Sequence, residues 1–253
     1  MSGLVTPEQA AERLRAAGLP PDAAQVVVEH LAGADDAGKH GHGLSRVPWI
    51  EALLEGERDP SARPERIERT DGFERWHGHG ALGYLTLAAI CGALAADPPS
   101  RARVVVAESC FPTGVVGAWA RRLAETGLVA VVTATSPRRL PHPTGGPPLT
   151  GTNPIAVAVP SSDGRPLVVD VSMGAVTHGD VLAGRARPQD LVPFGGSQAH
   201  KAFALALGLE MLVGALAGPE HGAVVIAARP GFDPVPGLRQ LAGARRLPGD
   251  RAA

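Results

Sequence analysis

The chain has 253 residues, 44% of them hydrophobic, which is enough to bury a sizeable core in one large domain or two intimate ones. Its formal net charge is −1 and no block of like charges occurs, which excludes the electrostatic footprint of a nucleic-acid or membrane-surface binder and leaves small molecules as partners. Two cysteines, Cys91 and Cys110, without CxxC spacing or an N-terminal apolar segment, point to a reducing cytoplasm and not to a disulfide scaffold or export.

The chain opens with an N-cap signature: Thr6, then Pro7 at the first helical position and Gln9 three residues after the cap, with Gly18 as the stop. A second helix runs from about Pro21 to the Asp35 region. The helical hairpin delivers GKHGHGLSR, and VPWIEALLEG resumes helical spacing through Trp49, Leu53 and Leu54. The two histidines therefore fall at a break between helices, where side chains can face a cleft.

RIERTDGFERWHGHG reads as one short strand and a glycine-rich turn, followed by a helix from about Gly83 to Ala96. ARVVVAES, GVVGAWARRLAETG and LVAVVTATS form a strand, a helix and a strand, so helices cover a sheet in an α/β core. The long Pro/Gly loop PRRLPHPTGGPPLTGTNP has the length of a functional loop. IAVAVPSSDGRPLVVDVS is a hairpin about Ser161–Gly164. The apolar run 202–218 carries Glu210, falls short of the ~20 residues of a bilayer span, and reads as a buried helix. GAVVIAARP is a further strand, and the Pro/Gly/Arg-rich tail from 230 shows little pattern.

Several chemistries are open to these residues. HGHG occurs twice, so His40, His42, His77 and His79 can offer four imidazole nitrogens, with His40 and His42 on one side of an extended segment. No Asp, Glu or Cys accompanies either pair at metal-ligand spacing, and polar glycine turns explain both copies without a metal. His42 beside Arg46 suits acid catalysis next to a carboxylate, since an imidazole donates a proton near neutral pH and a guanidinium holds a carboxylate bidentately. A surface His and Arg would read the same way. No GxGxxG follows a strand and no GxxxxGK[ST] occurs, which excludes the Rossmann and P-loop fingerprints; SCFPTG is not a nucleophile elbow. Only Lys39 and Lys201 are lysines among many arginines. A retained ammonium can do what a guanidinium cannot, although two surface lysines left by chance fit equally.

Taken together, ADDAGKHGHGLSRVPWIEALLEG, TGGPPLTGTNPIAVAVP, LVVDVSMGAV, PFGGSQAHKAFALALGLEMLVGALAG and RLPGDRA resemble the malate/L-lactate dehydrogenase family that lacks a Rossmann fold. The resemblance spans almost the whole chain in order. It implies a mixed sheet covered by helices with an N-terminal helical subdomain: 1–70 helical, 71–229 cofactor and substrate domain, and 230–253 a tail packing back on the N-terminal part. It also implies a homodimer and NADH or NADPH reducing a small 2-oxo acid or cyclic imine.

On the family's motifs, His42 is the proton donor, Arg46 the carboxylate anchor, and Asp170 the carboxylate that orients His42. Cofactor contacts fall on Val171, Ser172 and Met173, on Lys201, and on Gly249 and Asp250; Thr152 and Asn153 of GTNP would touch substrate. Arg138 and Arg139 can hold the 2′-phosphate of NADPH or be merely solvated. The chain departs from the pattern at Gly41, where the family has serine, and at Pro112, where it has a histidine that Pro cannot replace as a donor. The segment after Asp170 is trimmed, and the helix that follows the last motif is missing at Ala253. These departures keep two alternatives open: the same pocket running non-redox acid/base chemistry through His42, or a degenerate, non-catalytic subunit.

Overall fold

A computed structural model describes residues 5–250. The N-terminal part is three helices, α1 (Pro7–Ala16), α2 (Pro21–Asp36) and α3 (Val47–Gly56). The capping box is present as the sequence predicts: Gln9 N–H donates to Thr6 Oγ1 at 3.3 Å, and Thr6 N–H donates to Gln9 Oε1 at 3.0 Å. Between α2 and α3 the chain makes two short 3-10 turns, His40–His42 and Leu44–Arg46.

The segment expected as one strand forms two, β1 (Glu65–Arg69) and β2 (Phe73–His77), paired antiparallel. Charged ERIER is exposed along its whole length, so no alternation betrays it; β2 alternates half-buried and buried residues. Next come α4 (Gly83–Ala96), β3 (Ala102–Glu108), α5 (Val116–Glu125) and β4 (Val129–Ala134), then the small ribbon β5 (Leu140–Pro141) with β6 (Pro148–Thr150). The hairpin β7 (Ile155–Val159) and β8 (Leu167–Val171) leads to α6 (His178–Leu182), α7 (Ala199–Ala217), β9 (Ala223–Ala228) and α8 (Val235–Ala242).

The main sheet runs β1-β2-β3-β9-β4-β7-β8. Only β2 and β3 pair in parallel; β9 inserts antiparallel between β3 and β4, so those two strands are not neighbours despite the helix that joins them. Strand periodicity sorts the faces. Val105, Ala107, Ala130, Val132, Val225 and Ala227 point into a single core built with α4, α5 and the N-terminal helices. Val106 and Val224 point the other way, under Val213 and Ala217 of α7.

Two expectations are corrected here. The apolar helix α7 is not buried: Ala202, Phe203, Ala206, Val213 and Ala217 face the protein, while Met211 is 58% exposed and Leu205, Leu212 and Leu216 also face outward. By length and composition the 196–217 segment can cross a membrane, yet its Glu210 carboxylate is spent on the Thr150 hydroxyl (2.9 Å) and Asn153 Nδ2 (2.6 Å). The tail is not patternless: it forms α8, and its hydrogen bonds run to the β7–β8 end and α5 instead of the N-terminal helices. Val168 N–H donates to Pro248 O at 3.3 Å, and Arg121 donates to Gly249 O.

Candidate active site

A cleft of about 340 Å³ opens where the His40–Arg46 turns, the 111–116 loop, the ends of β4 and β8, and α6 meet. Asp35, at the end of α2, ties the first turn down, accepting from Leu44 N–H at 2.8 Å and pairing with His40 Nδ1 at 2.9 Å. The segment is a tight 3-10 turn and not the extended stretch the sequence reading assumed; His40 is exposed and His42 half-buried, and both line the cleft. Among the described residues no cluster of three metal-capable side chains forms, and the His77 and His79 rings lie tilted against each other at the end of β2.

Gly41 marks the point where α6 lies against this turn. A Cβ there would come within 2.9 Å of the Asp180 carboxylate, and would also meet the Thr177 hydroxyl, so the family serine has no room. The α6 cap explains the close approach: Thr177 Oγ1 donates to Asp180 Oδ2 at 2.6 Å and accepts from Asp180 N–H at 3.1 Å.

Arg46 is 9% exposed, with its guanidinium carbon 3.8 Å from the Trp49 ring centroid. Its Nε and Nη1 are buried without a hydrogen-bond partner among the described residues, and burial pulls its pKa down. A guanidinium cannot shed its proton in water, so this arrangement calls for an anion. Tyr84, fully buried on α4 and lining the same cleft, has its phenol pushed up to about 12 by burial and stays neutral.

Burial, then the Arg46 charge, pushes the His42 imidazole down to about 4, with Asp170 pulling it up and Lys39 down again. Asp170, next to last in β8, lies against the start of α5, where a Cβ on Gly117 would lie 2.7 Å from the Asp170 Cβ. Its carboxylate is ion-paired with the Lys39 ammonium and not hydrogen-bonded to His42, the partner the sequence assigned it. Asp170 acts on His42 through its charge.

Of the remaining sequence-assigned residues, Thr152 and Ser172 line the cleft. Asn153 does not. It is buried at φ +29, its amide donating to Thr150 Oγ1, Ala206 O and Glu210 and its oxygen accepting from Ser136 N–H at 3.2 Å, so it braces the GTNP loop instead of facing substrate. Met173 packs with Leu140 and Ala206. Val171 and Lys201 are exposed outside the cleft, and Gly249 and Asp250 line a separate concavity with Arg121, Arg165 and Arg239. The five residues Val171, Met173, Lys201, Gly249 and Asp250 thus lie away from the cleft wall within one chain.

The sequence reading missed Lys39 as a cleft residue, Tyr84, Asp180 and His178, and left Arg139 undecided; all five line the cleft. They come from four separate parts of the chain, His178 and Asp180 sharing α6, and only the retained Lys39 and the Arg138–Arg139 pair carried a sequence signal. Burial, then Arg139 and Arg46, pushes His178 down to about 4. Cys91 and Cys110 are buried and free, their thiols raised to about 12 by burial, which removes them as nucleophiles.

The family model for malate/L-lactate dehydrogenase matches residues 6–191. The chain is 31% identical to the Delta(1)-pyrroline-2-carboxylate/Delta(1)-piperideine-2-carboxylate reductase of Pseudomonas putida over 77% of its own length and 64% of that protein's. It is also 31% identical to the (2R)-3-sulfolactate dehydrogenase (NADP(+)) of Chromohalobacter salexigens, over 83% of its length and 69% of the relative's. Against these curated relatives, therefore, it aligns with about two thirds of the length. The crystal structure of delta1-piperideine-2-carboxylate reductase from Pseudomonas syringae superposes with a TM-score of 0.82 at 26% identity, covering 99% of this chain and 92% of that one. The chain belongs to the malate/L-lactate dehydrogenase family, and its mixed α/β sheet is the fold of that family.

Proposed function

We propose that the chain is an NADH- or NADPH-dependent oxidoreductase that reduces a small 2-oxo acid or cyclic 2-imino acid, with His42 as proton donor and Arg46 as carboxylate anchor. The observation that carries this reading is the half-buried imidazole beside a buried guanidinium with two unpartnered nitrogens, in one cleft of a family of dehydrogenases and reductases.

The cleft has room for a nicotinamide ring and a small acid, though not for a whole dinucleotide. The hydroxyls of Ser136, Thr152 and Ser172 line its wall and suit a carboxamide, so the residues present fit the reactive end of the cofactor. Bound NAD(P)H supplies the hydride. Arg46 takes the substrate carboxylate, which fixes the neighbouring carbonyl or imine carbon. The same anion cancels the charge that, after burial, most strongly holds His42 neutral, so substrate binding itself raises the imidazole's proton affinity. His42 then gives its proton to the carbonyl oxygen or imine nitrogen, with the Asp170 charge stabilising the imidazolium before transfer.

The outward apolar strip of α7 supports a homodimer formed by a second copy covering Leu205, Met211, Leu212 and Leu216, beside exposed Ile226 of the sheet. Sedimentation of the purified chain, with Met211→Glu expected to shift it to monomer, tests that assembly.

The activity is tested by following NADH and NADPH oxidation with a panel of 2-oxo acids and cyclic imine carboxylates, using wild type and His42→Asn. Turnover by wild type that collapses in the variant is expected. Equal turnover in His42→Asn would remove His42 from the chemistry. A second reading, acid/base chemistry without a cofactor, is favoured by Pro112, which lines the cleft where the family carries a histidine. It predicts no oxidation of either cofactor.

A further inference from the structure

Besides Arg46, the other fully buried arginine among the described residues is matched by carboxylates. Arg103, 3% exposed, contacts Glu74 at 3.1 Å and Asp97 at 3.2 Å; Arg239 contacts Asp250 at 2.8 Å and Asp163 at 3.2 Å. Half-buried Arg58, outside the cleft, lacks a carboxylate, and within the cleft two arginines lack one. Arg46 is without an acidic partner, and so is Arg139, which is half-buried just before β5 with its N–H bonded to Thr150 O at 3.0 Å. Among the described residues the Arg139 side chain makes no hydrogen bond or ion pair, and it is less exposed than its neighbour Arg138.

The cleft's own acids are already engaged. Asp170 is paired with Lys39, and Asp180 is held by Thr177 and, at 3.0 Å, by Arg185. Lys39 cancels Asp170 and Arg185 cancels Asp180, leaving the two guanidinium charges of Arg46 and Arg139 without compensation. His178, the first residue of α6, lines the same wall, and its ring has no partner among the described residues. Burial first, then both arginine charges, keep this ring neutral, and cancelling those charges raises its proton affinity.

We propose that Arg139, with His178 beside it, is a second anion-binding pole of the cleft, so that the substrate carries two acid groups: the carboxylate held by Arg46 and a second carboxylate or other strong acid held by Arg139. The inference rests on the assignment of Arg46 made above. It narrows the substrate class to dianions, since a monoanion would leave one guanidinium buried and uncompensated. It also makes Arg139 a specificity-determining residue. Its guanidinium binds the group that a one-acid analogue lacks, and neither this residue nor His178 belongs to the His42–Arg46 motif.

The test is calorimetric titration of the full chain, with and without saturating cofactor, using malate and lactate, which differ by one carboxylate. Wild type, Arg139→Met, Arg139→Lys and His178→Gln are compared after their melting temperatures show that each folds. Malate is expected to bind at least about tenfold tighter than lactate, the range of one charge-assisted contact. Arg139→Met should bring malate to the lactate level, while Arg139→Lys keeps part of the preference. His178→Gln should weaken malate less and flatten the rise in its affinity as the pH falls below neutral.

Equal affinities in wild type, no binding of either acid, or a malate preference that survives Arg139→Met would each overturn the proposal. So would loss of NADPH binding with malate binding unchanged in Arg139→Met, which would assign Arg139 to the cofactor's 2′-phosphate. A malate preference that depends on Arg139, in a protein that oxidises neither cofactor with any 2-oxo acid or imine, would sink the reductase reading and leave this one standing.

Discussion

The Lys39 ammonium is ion-paired with the Asp170 carboxylate, joining the turn after α2 to the end of β8 across 131 positions of sequence. The pair divides the influence on His42 lying between these elements: Asp170 favours the imidazolium and Lys39 opposes it. Lys39→Gln removes the opposing charge and frees the carboxylate. In the reductive direction activity requires protonated His42 and falls as the pH rises, so the falling limb of kcat/KM should move to higher pH in this variant, by about half a pH unit or more. An unmoved profile would show that the pair does not act on the proton donor.

His42→Asn keeps a polar group of similar size in the cleft without a titratable nitrogen. Loss of general acid catalysis should lower kcat by roughly 10²–10⁴-fold. Cofactor affinity should change by less than about threefold, because the imidazole's role is to move a proton; calorimetry of the variant with NADH and NADPH checks this.

Arg46 trades stability for binding. Its guanidinium is buried with Nε and Nη1 unpartnered, and packs on Trp49. Arg46→Met keeps the packing stem and removes the uncompensated charge, so the ligand-free chain should melt at a higher temperature, with a gain on the order of 1 kcal/mol. The same variant should lose about tenfold or more in 2-oxo acid affinity. Thermal melts with and without acid read both effects; a variant that melts lower would mean that the guanidinium is not a strained group awaiting an anion.

His30 holds the cleft's loop. Its Nε2 accepts from Val115 N–H at 2.8 Å, and its ring stacks on Trp119 at 4.5 Å. Burial pushes its pKa down to about 3. The unfolded chain binds this proton near pH 6.5 and the folded chain only near 3, so the stabilisation is complete above about 6.5 and lost as the pH falls through that window. The loss should reach a few kcal/mol, at about 1.4 kcal/mol per pH unit. His30→Phe should flatten that acid slope, while costing about 1–3 kcal/mol at neutral pH because the buried Val115 N–H loses its acceptor. Urea unfolding of both proteins at several pH values measures the two effects together.

What the sequence made legible was what is local. Thr6, Pro7 and Gln9 announce α1, the alternation around Ser161–Gly164 announces the β7–β8 hairpin, and HGHGLSR puts His42 and Arg46 at the break between α2 and α3. Pairings between distant elements were hidden: Asp170 was assigned to His42, but a lysine 131 positions away holds it. Arg139 stayed open between a 2′-phosphate contact and a solvated loop residue, and His178 drew no reading, because the folding of β5 and α6 against the cleft is not written in either segment. Asn153 was read as a substrate contact from its motif, yet burial commits every polar atom of its side chain to bracing the loop. The α7 reading failed for a related reason, since an apolar helix shows that a face will be covered without saying by what.

The central claim, that this cleft does nicotinamide chemistry, is tested most directly by calorimetric titration of the purified full chain with NADH and NADPH. The account predicts saturable binding of at least one of them near the micromolar range, about −8 kcal/mol. Absence of binding by both would contradict it and leave His42 as a lone acid/base in a non-redox reaction.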